Sequence, residues 1–196
     1  GGDPAASMTP IGGPPSWLDV RKRVAAARVA GSLCPLTTDT ALVAQGDVRF
    51  SVHVLGSGER KISALAAQRE RREDPFLAPE PALLIGPLSP THLLLLNKFP
   101  VLDLHLLIVT REHELQDEPL SVEDFDALGR CVRSLNGLGF YNSAEGAGAS
   151  QGHKHLQLVP LPLGLGPGPT PIDHLVETVS EGVPGRVPSL PFAHAI

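Results

Sequence analysis

The sequence predicts an α+β domain in which β-strands fill the middle of the chain and one long amphipathic helix packs on them. Three patterns predict it. Val48–Leu55 alternates with period two, Leu93–Leu96 and Leu104–Val109 are short apolar β-type runs, and a helical apolar stripe follows Ser121. A chain of 196 residues is long enough to bury a core and suits one compact unit.

Ser16 is a candidate N-cap for a helix with apolar positions at Trp17, Leu18, Val20, Val24, Ala27 and Val29, and Gly31 supplies the stop. Val48–Leu55 reads as a half-buried strand ending at Gly56. The charged stretch from Glu59 to Asp74 reads as a solvated face, with Lys61 as a candidate phosphate contact within it. Asn97-Lys98-Phe99-Pro100 connects the two apolar strands. Ser121-Val122-Glu123-Asp124 resembles a capping box, and Val122, Phe125, Leu128, Val132 and Leu135 form the stripe, with Cys131 in or beside the core. Phe140-Tyr141-Asn142 reads as a short strand, Ser143 to Gly148 as a small-residue turn, and the Leu/Pro/Gly-rich stretch after Pro160 as a loop. The unit is expected to span residues 8–196, with Gly1–Ser7 taken as a tag remnant ahead of Met8.

Composition narrows the function. A net charge of −5 argues against a protein that coats nucleic acid, which needs a basic face to neutralise phosphates. Two cysteines without a Cys-x-x-Cys pair support neither a disulfide framework nor a zinc ribbon, and a reducing cytoplasm is the expected location. No apolar run is long enough for a membrane span, so no membrane partner is expected.

The chemistry concentrates in Gly148–Gln157. On a strand, His153, His155 and Gln157 line one face about 6 to 7 Å apart, with Lys154, Leu156 and Leu158 on the other. Two imidazoles and an amide on one face suit a histidine nucleophile attacking phosphorus, with Gln157 donating to a phosphoryl oxygen. Gly146, Gly148, Ser150, Gln151 and Gly152 form a turn whose N–H groups can cradle an anion. His-x-His is also a metal-binding spacing. That reading requires a further ligand, with His53, His92, His105 and His113 as candidates.

Ser150-Gln151-Gly152-His153-Lys154-His155-Leu156-Gln157 resembles the signature of the diadenosine tetraphosphate phosphorylases (ATP adenylyltransferases), a branch of the histidine-triad superfamily in which Gln replaces the third His. Further segments match in order: Leu33–Thr38, Phe50, Lys61, Leu96–Pro100, His105 through Asp117, and Phe140–Asn142. The resemblance implies a histidine-triad-like antiparallel sheet with flanking helices. It also implies that His155 forms a covalent adenylyl intermediate, that ATP leaves, and that phosphate then takes the adenylyl group to give ADP. His153, Gln157 and Ser150 would assist catalysis, and Lys61, Asn97, Lys98, Asn142 and Gln151 would bind the substrate. No tightly bound cofactor and no protein-held metal are expected, although a divalent cation such as Mg²⁺ can accompany the polyphosphate.

Gly152 stands where the family usually has Pro, which implies a looser loop before His153. Family members continue well past this motif, so further residues are expected after Ile196. Two alternatives remain. One is a nucleotide-sugar phosphorylase or hexose-1-phosphate uridylyltransferase using the same histidine. The other is a non-catalytic nucleotide- or metal-binding protein built on His153 and His155.

Overall fold

Among the described residues, seven strands form two antiparallel sheets. The computed structural model describes residues 15–46, 48–55, 74–163, 168–177, 179, 184–190 and 193. The chain opens with α1 (Trp17–Val29), and β1 (Thr38–Gln45) pairs with β2 (Val48–Leu55). The second sheet uses β3 (Leu84–Pro87), β4 (His92–Leu96), β5 (Leu106–Thr110), β6 (Gly137–Phe140) and β7 (His155–Pro160), in the order β3-β4-β5-β7-β6. Helix α2 (Val122–Leu135) lies between β5 and β6 in sequence, and a short α3 (Asp173–Val176) follows β7.

Strand register divides the five-stranded sheet into two faces. Leu95 pairs with Leu107, Leu107 with Gln157 and Val109 with His155, so these residues share one face. Alternation sends Leu94, Leu96, Leu106, Ile108, Leu156 and Leu158 to the other face, where they pack with Val20, Val24 and Ala27 of α1 and Ala127, Cys131 and Leu135 of α2. Both faces are covered, and that accounts for continuous apolar runs where a one-sided sheet would show alternation. The start of α1 is tied to the end of α2, since the Trp17 indole donates 2.5 Å to the Leu135 carbonyl.

Both helix starts are capping boxes. Ser16 and Asp19 cap α1, and Ser121 and Asp124 cap α2, with side chain and backbone satisfied reciprocally in each. Gly31, φ +73°, takes the left-handed turn after α1. Strand β6 is threaded tightly between α2 and β7. A Cβ on Gly137 would lie 2.7 Å from the Val159 carbonyl oxygen, and one on Gly139 would lie 2.6 Å from Leu128 Cδ1.

Several expectations are corrected. Strands β1 and β3 add to those the sequence predicts. Phe50, Val52 and Val54 of β2 are exposed at 44%, 39% and 52%, so this strand is not half-buried along its length; among its described side chains only Val48 is buried, against Leu175 and Val187. β5 begins at Leu106 and not at Leu104, because Leu104 has φ 60°, a left-handed conformation that a strand does not hold. The α2 stripe is rotated from the expected one. Val122 and Phe125 point to solvent, and Ala127, Cys131 and Leu135 are buried together with Asp124. Cys131 is in the core, and burial pushes its thiol pKa up to about 12. The expected strand at Phe140–Asn142 ends at Phe140. The turn before the motif holds a 3₁₀ segment at Glu145–Ala147, closed by Gly148 at φ 97°.

Candidate active site

His155 opens β7, the strand between β5 and β6, where its backbone pairs with Val109 of β5 on one side and is held by the Gln116 side chain on the other. The face it shares with Gln157 forms the floor of a cavity of about 940 Å³. Asn97, Lys98, Asn142, Ser150, Gln151, His155 and Gln157 all line this cavity, so sequence-distant loops bring seven expected site residues together. His153 is the exception. It precedes β7 in an isolated bridge with Leu115 and lies off the cavity wall, which corrects the expectation of three residues in one strand. Lys61 lies outside the described residues.

The hydrogen bonds of His155 define its tautomer. Its Nδ1 lies 2.8 Å from the His153 carbonyl oxygen, which can only accept, so Nδ1 carries the proton and the lone pair sits on Nε2. Among the described residues no hydrogen-bonding group occupies Nε2, and the ring lines the cavity. Burial lowers the His155 pKa, assisted by the neighbouring His153 and opposed by the Nδ1 hydrogen bond. The free base is therefore the resting form near neutral pH. Phe76 packs against the ring with centroids 5.3 Å apart and restrains its rotation.

Gln157 is oriented by a directional chain. The Phe99 N–H donates 3.0 Å to Asn97 Oδ1, so Asn97 turns its Nδ2 toward His105 Nδ1, 3.3 Å away. His105 Nδ1 accepts there, so its Nε2 carries the proton and donates 2.9 Å to Gln157 Oε1. With its oxygen engaged, Gln157 leaves its NH₂ to face the cavity as a donor. Burial lowers the His105 pKa to about 4, which keeps this ring neutral. Asn97, expected as a substrate contact, lines the cavity and also aligns Gln157 through His105.

Lys98 forms an ion pair with Glu80, another wall residue, and their hydrogen bond holds the Glu80 carboxyl below its usual range. Ser150 is exposed at the cavity mouth beside half-buried Gln151. A Cβ on Gly152 would meet nothing within 4 Å, so no close contact requires glycine there.

Four further residues have structural roles here, and of these the sequence singles out only His105, as a candidate metal ligand. Gln116, 4% exposed, accepts the His155 N–H at 2.8 Å and donates to the Asn142 and His155 carbonyls at 2.7 and 3.2 Å, stapling two site segments. Its own N–H donates to the Gly152 carbonyl. Thr110 holds His153 Nε2, with its carbonyl oxygen at 2.8 Å and its hydroxyl at 2.9 Å. Asp74 lies 2.7 Å from His153 Nδ1. His105 is the fourth, in the chain to Gln157. Gln116 and His105 fell within the family-like segment but carried no periodic signal, and Asp74 ended a charged run that reads as solvated.

On the opposite face Lys154, 2% exposed, reaches Glu114 at 2.6 Å, Asp124 at 3.6 Å and Glu118 at 3.8 Å. Asp124 also receives His92 Nε2 at 2.9 Å. Desolvation pulls the Lys154 pKa down, but these carboxylates outweigh it and raise the pKa, so the lysine clamps the start of β7 as a cation.

An antiparallel sheet with its histidine strand inside, helices on one face and a cavity of mixed polar and apolar lining on the other defines a histidine-triad-like α+β fold. The family model described as Ap4A phosphorylase N-terminal domain matches residues 13–178, and the chain belongs to that family. Yeast Ap4A phosphorylase Apa2 is similar in structure. In complex with AMP it aligns with TM-score 0.60 and 27% identity over 73% of this chain and 49% of its own. The form without a named ligand gives 0.62 and 26% over 76% and 48%, and the complex with Ap4A gives 0.59 and 26% over 77% and 53%. The chain thus spans about half the length of the yeast structures. No curated protein matches it. No described helix is long and apolar enough to cross a membrane.

Proposed function

We propose that the chain carries the nucleotidyl-transfer centre of a phosphorylase that cleaves diadenosine tetraphosphate with inorganic phosphate to ATP and ADP. One observation carries the reading: the His155 Nδ1–H is held by a carbonyl, so the Nε2 lone pair is presented to a cavity lined by amide and hydroxyl donors. The yeast relative's complexes with AMP and with Ap4A support a nucleotide in that cavity.

In the first step His155 Nε2 bonds to an α-phosphorus, the bond from that phosphorus to its bridging oxygen breaks, and ATP departs. The proton on Nδ1 stays in place. Positive charge gathering on the ring is met by the His153 carbonyl, and negative charge on the phosphoryl oxygens by Gln157, Ser150, Gln151 and Asn142. In the second step a phosphate oxygen attacks the same phosphorus, the P–N bond breaks, ADP forms, and Nε2 regains its lone pair. Lys98 and Lys61 contribute point charges to the polyphosphate, and a divalent cation such as Mg²⁺ enters as part of the substrate.

His155→Ala tests this. Phosphate-dependent cleavage is expected to disappear while the unfolding midpoint stays within a few degrees of the parent. Near-native turnover by a folded His155→Ala protein would refute the reading.

A further inference from the structure

Beside the nucleophile, with Asp74 on the cavity wall, three metal-ligating side chains converge on one point. His113 Nδ1 and His153 Nδ1 lie 2.8 and 2.7 Å from the same oxygen, Oδ2 of Asp74, and the three candidate ligand atoms fall within 4.8 Å of one another. The two imidazole centroids are 5.0 Å apart and tilted by 71°. The groups come from three separate stretches of chain.

Hydrogen bonding at His153 supplies a second, independent observation. Its Nε2 lies 2.8 Å from the Thr110 carbonyl oxygen, an obligate acceptor, so Nε2 carries the proton. In neutral imidazole the lone pair then sits on Nδ1, aimed at Asp74 and His113. A backbone carbonyl on the remote ring nitrogen is the usual outer-shell arrangement for a metal-binding histidine. Without an ion, one carboxylate oxygen faces two Nδ1 atoms, and the contacts close only if both carry protons. A cation in their place accepts both lone pairs and the carboxylate.

We propose that Asp74, His113 and His153 hold a divalent transition cation of the zinc class. Two imidazoles and one carboxylate suit Zn²⁺ better than Mg²⁺ or Ca²⁺, which select oxygen-only sets. Zinc bonds of about 2.0 to 2.2 Å in tetrahedral geometry require ligand atoms roughly 3.3 Å apart, so each contact opens by about half an ångström. A water completes the set from the side of His113, whose side chain is 50% exposed. Phe76 closes the other side, with its ring centroid 5.6 Å from that of His153.

The site is distinct from the nucleophile. His155 turns Nδ1 to the His153 carbonyl and keeps Nε2 in the cavity, so it is not a ligand. A metal-binding pair of His153 with His155 is therefore not what the geometry offers. The ion would instead fix His153, whose carbonyl sets the His155 tautomer, and would do so whichever nucleotide the cavity takes.

The test needs no activity assay. Protein stripped with a chelator is re-equilibrated with zinc alone, passed through a desalting column, and its metal measured by plasma mass spectrometry. The parent and His155→Ala are expected to retain about one zinc per chain, with the unfolding midpoint of the parent rising by roughly 5 to 10 °C in excess zinc. His113→Ala, altered at a half-exposed side chain that leaves the core intact, should lose zinc affinity by more than the roughly 10- to 100-fold that loss of an outer-shell partner costs. Negligible zinc on the parent, or equal zinc on the parent and His113→Ala, would overturn the proposal.

Discussion

Replacing Gln157 by Glu inverts one group and leaves its shape alone. In the parent, Oε1 accepts from His105 and NH₂ faces the cavity. The carboxylate keeps the His105 bond and presents an acceptor with negative charge where a donor stood. Loss of one transition-state donor costs about 2.7 to 4 kcal/mol, or 10²- to 10³-fold in kcat. A carboxylate about 4 Å from a phosphoryl oxygen adds repulsion of about 4 kcal/mol at an effective dielectric near 20. Even if relaxation of the side chain removes much of this, single-turnover adenylyl transfer should slow by at least about 10²-fold. The unfolding midpoint should barely move, because the buried hydrogen bond survives. Rapid-quench measurement of ATP release from diadenosine tetraphosphate reports the step. A slowing of less than about threefold would mean that Gln157 does not donate to the reacting phosphoryl group, and the directional chain from Asn97 would lose its functional meaning.

Three further outcomes follow from the same geometry. His105 is neutral in the fold with a pKa of about 4 against an unfolded value near 6.5, so the unfolded chain binds the extra proton between those limits; stability should fall as pH drops through this window, by at most about 3 kcal/mol, and His105→Gln, which can still donate to Gln157, should flatten that slope in urea titrations. Lys154→Met keeps the packing but leaves Asp124, 1% exposed, without its cation; a loss of about 3 kcal/mol is expected, at the low end for broken buried pairs because Glu114 and Glu118 reach water, and a loss below about 1 kcal/mol by chemical denaturation would deny the clamp. Gly152→Ala meets no atom and its φ lies outside the left-handed region, so it should stabilise by about 0.4 to 1 kcal/mol with turnover unchanged; destabilisation in a thermal melt would show that the loop needs glycine after all.

What could be read from the chain divides by the physics of each signal. The α2 boundaries were legible because Ser121 and Asp124 reciprocate hydrogen bonds that depend only on local spacing. The buried face of α2 departs from the apolar stripe, since Val122 and Phe125 are apolar yet exposed in the first turn while Ala127 and Cys131 are buried. Strand β3 is four residues long and contains Gly and Pro, so no periodicity could reveal it. His155 and Gln157 were found through their two-residue spacing, and that spacing also placed His153 in the same strand. Gln116 and Asp74 escaped because their roles come from bonds to residues 39 and 79 positions away, which no local pattern encodes. Lys154 shares a face with Leu156 and Leu158 in the sequence pattern, but its carboxylate partners Glu114, Glu118 and Asp124 lie 30 or more positions away and no local pattern encodes them.

The central claim is that Nε2 of His155 becomes bonded to a nucleotide's phosphorus. Protein mixed with diadenosine tetraphosphate in the absence of phosphate, quenched in base to protect an acid-labile phosphoramidate, and digested for tandem mass spectrometry locates that bond directly. An adenylyl group on the peptide fragment ending at His155, discharged to ADP when phosphate is added before the quench, is the predicted result. The same group on His153, or steady phosphate-dependent turnover with His155 never modified, would contradict it.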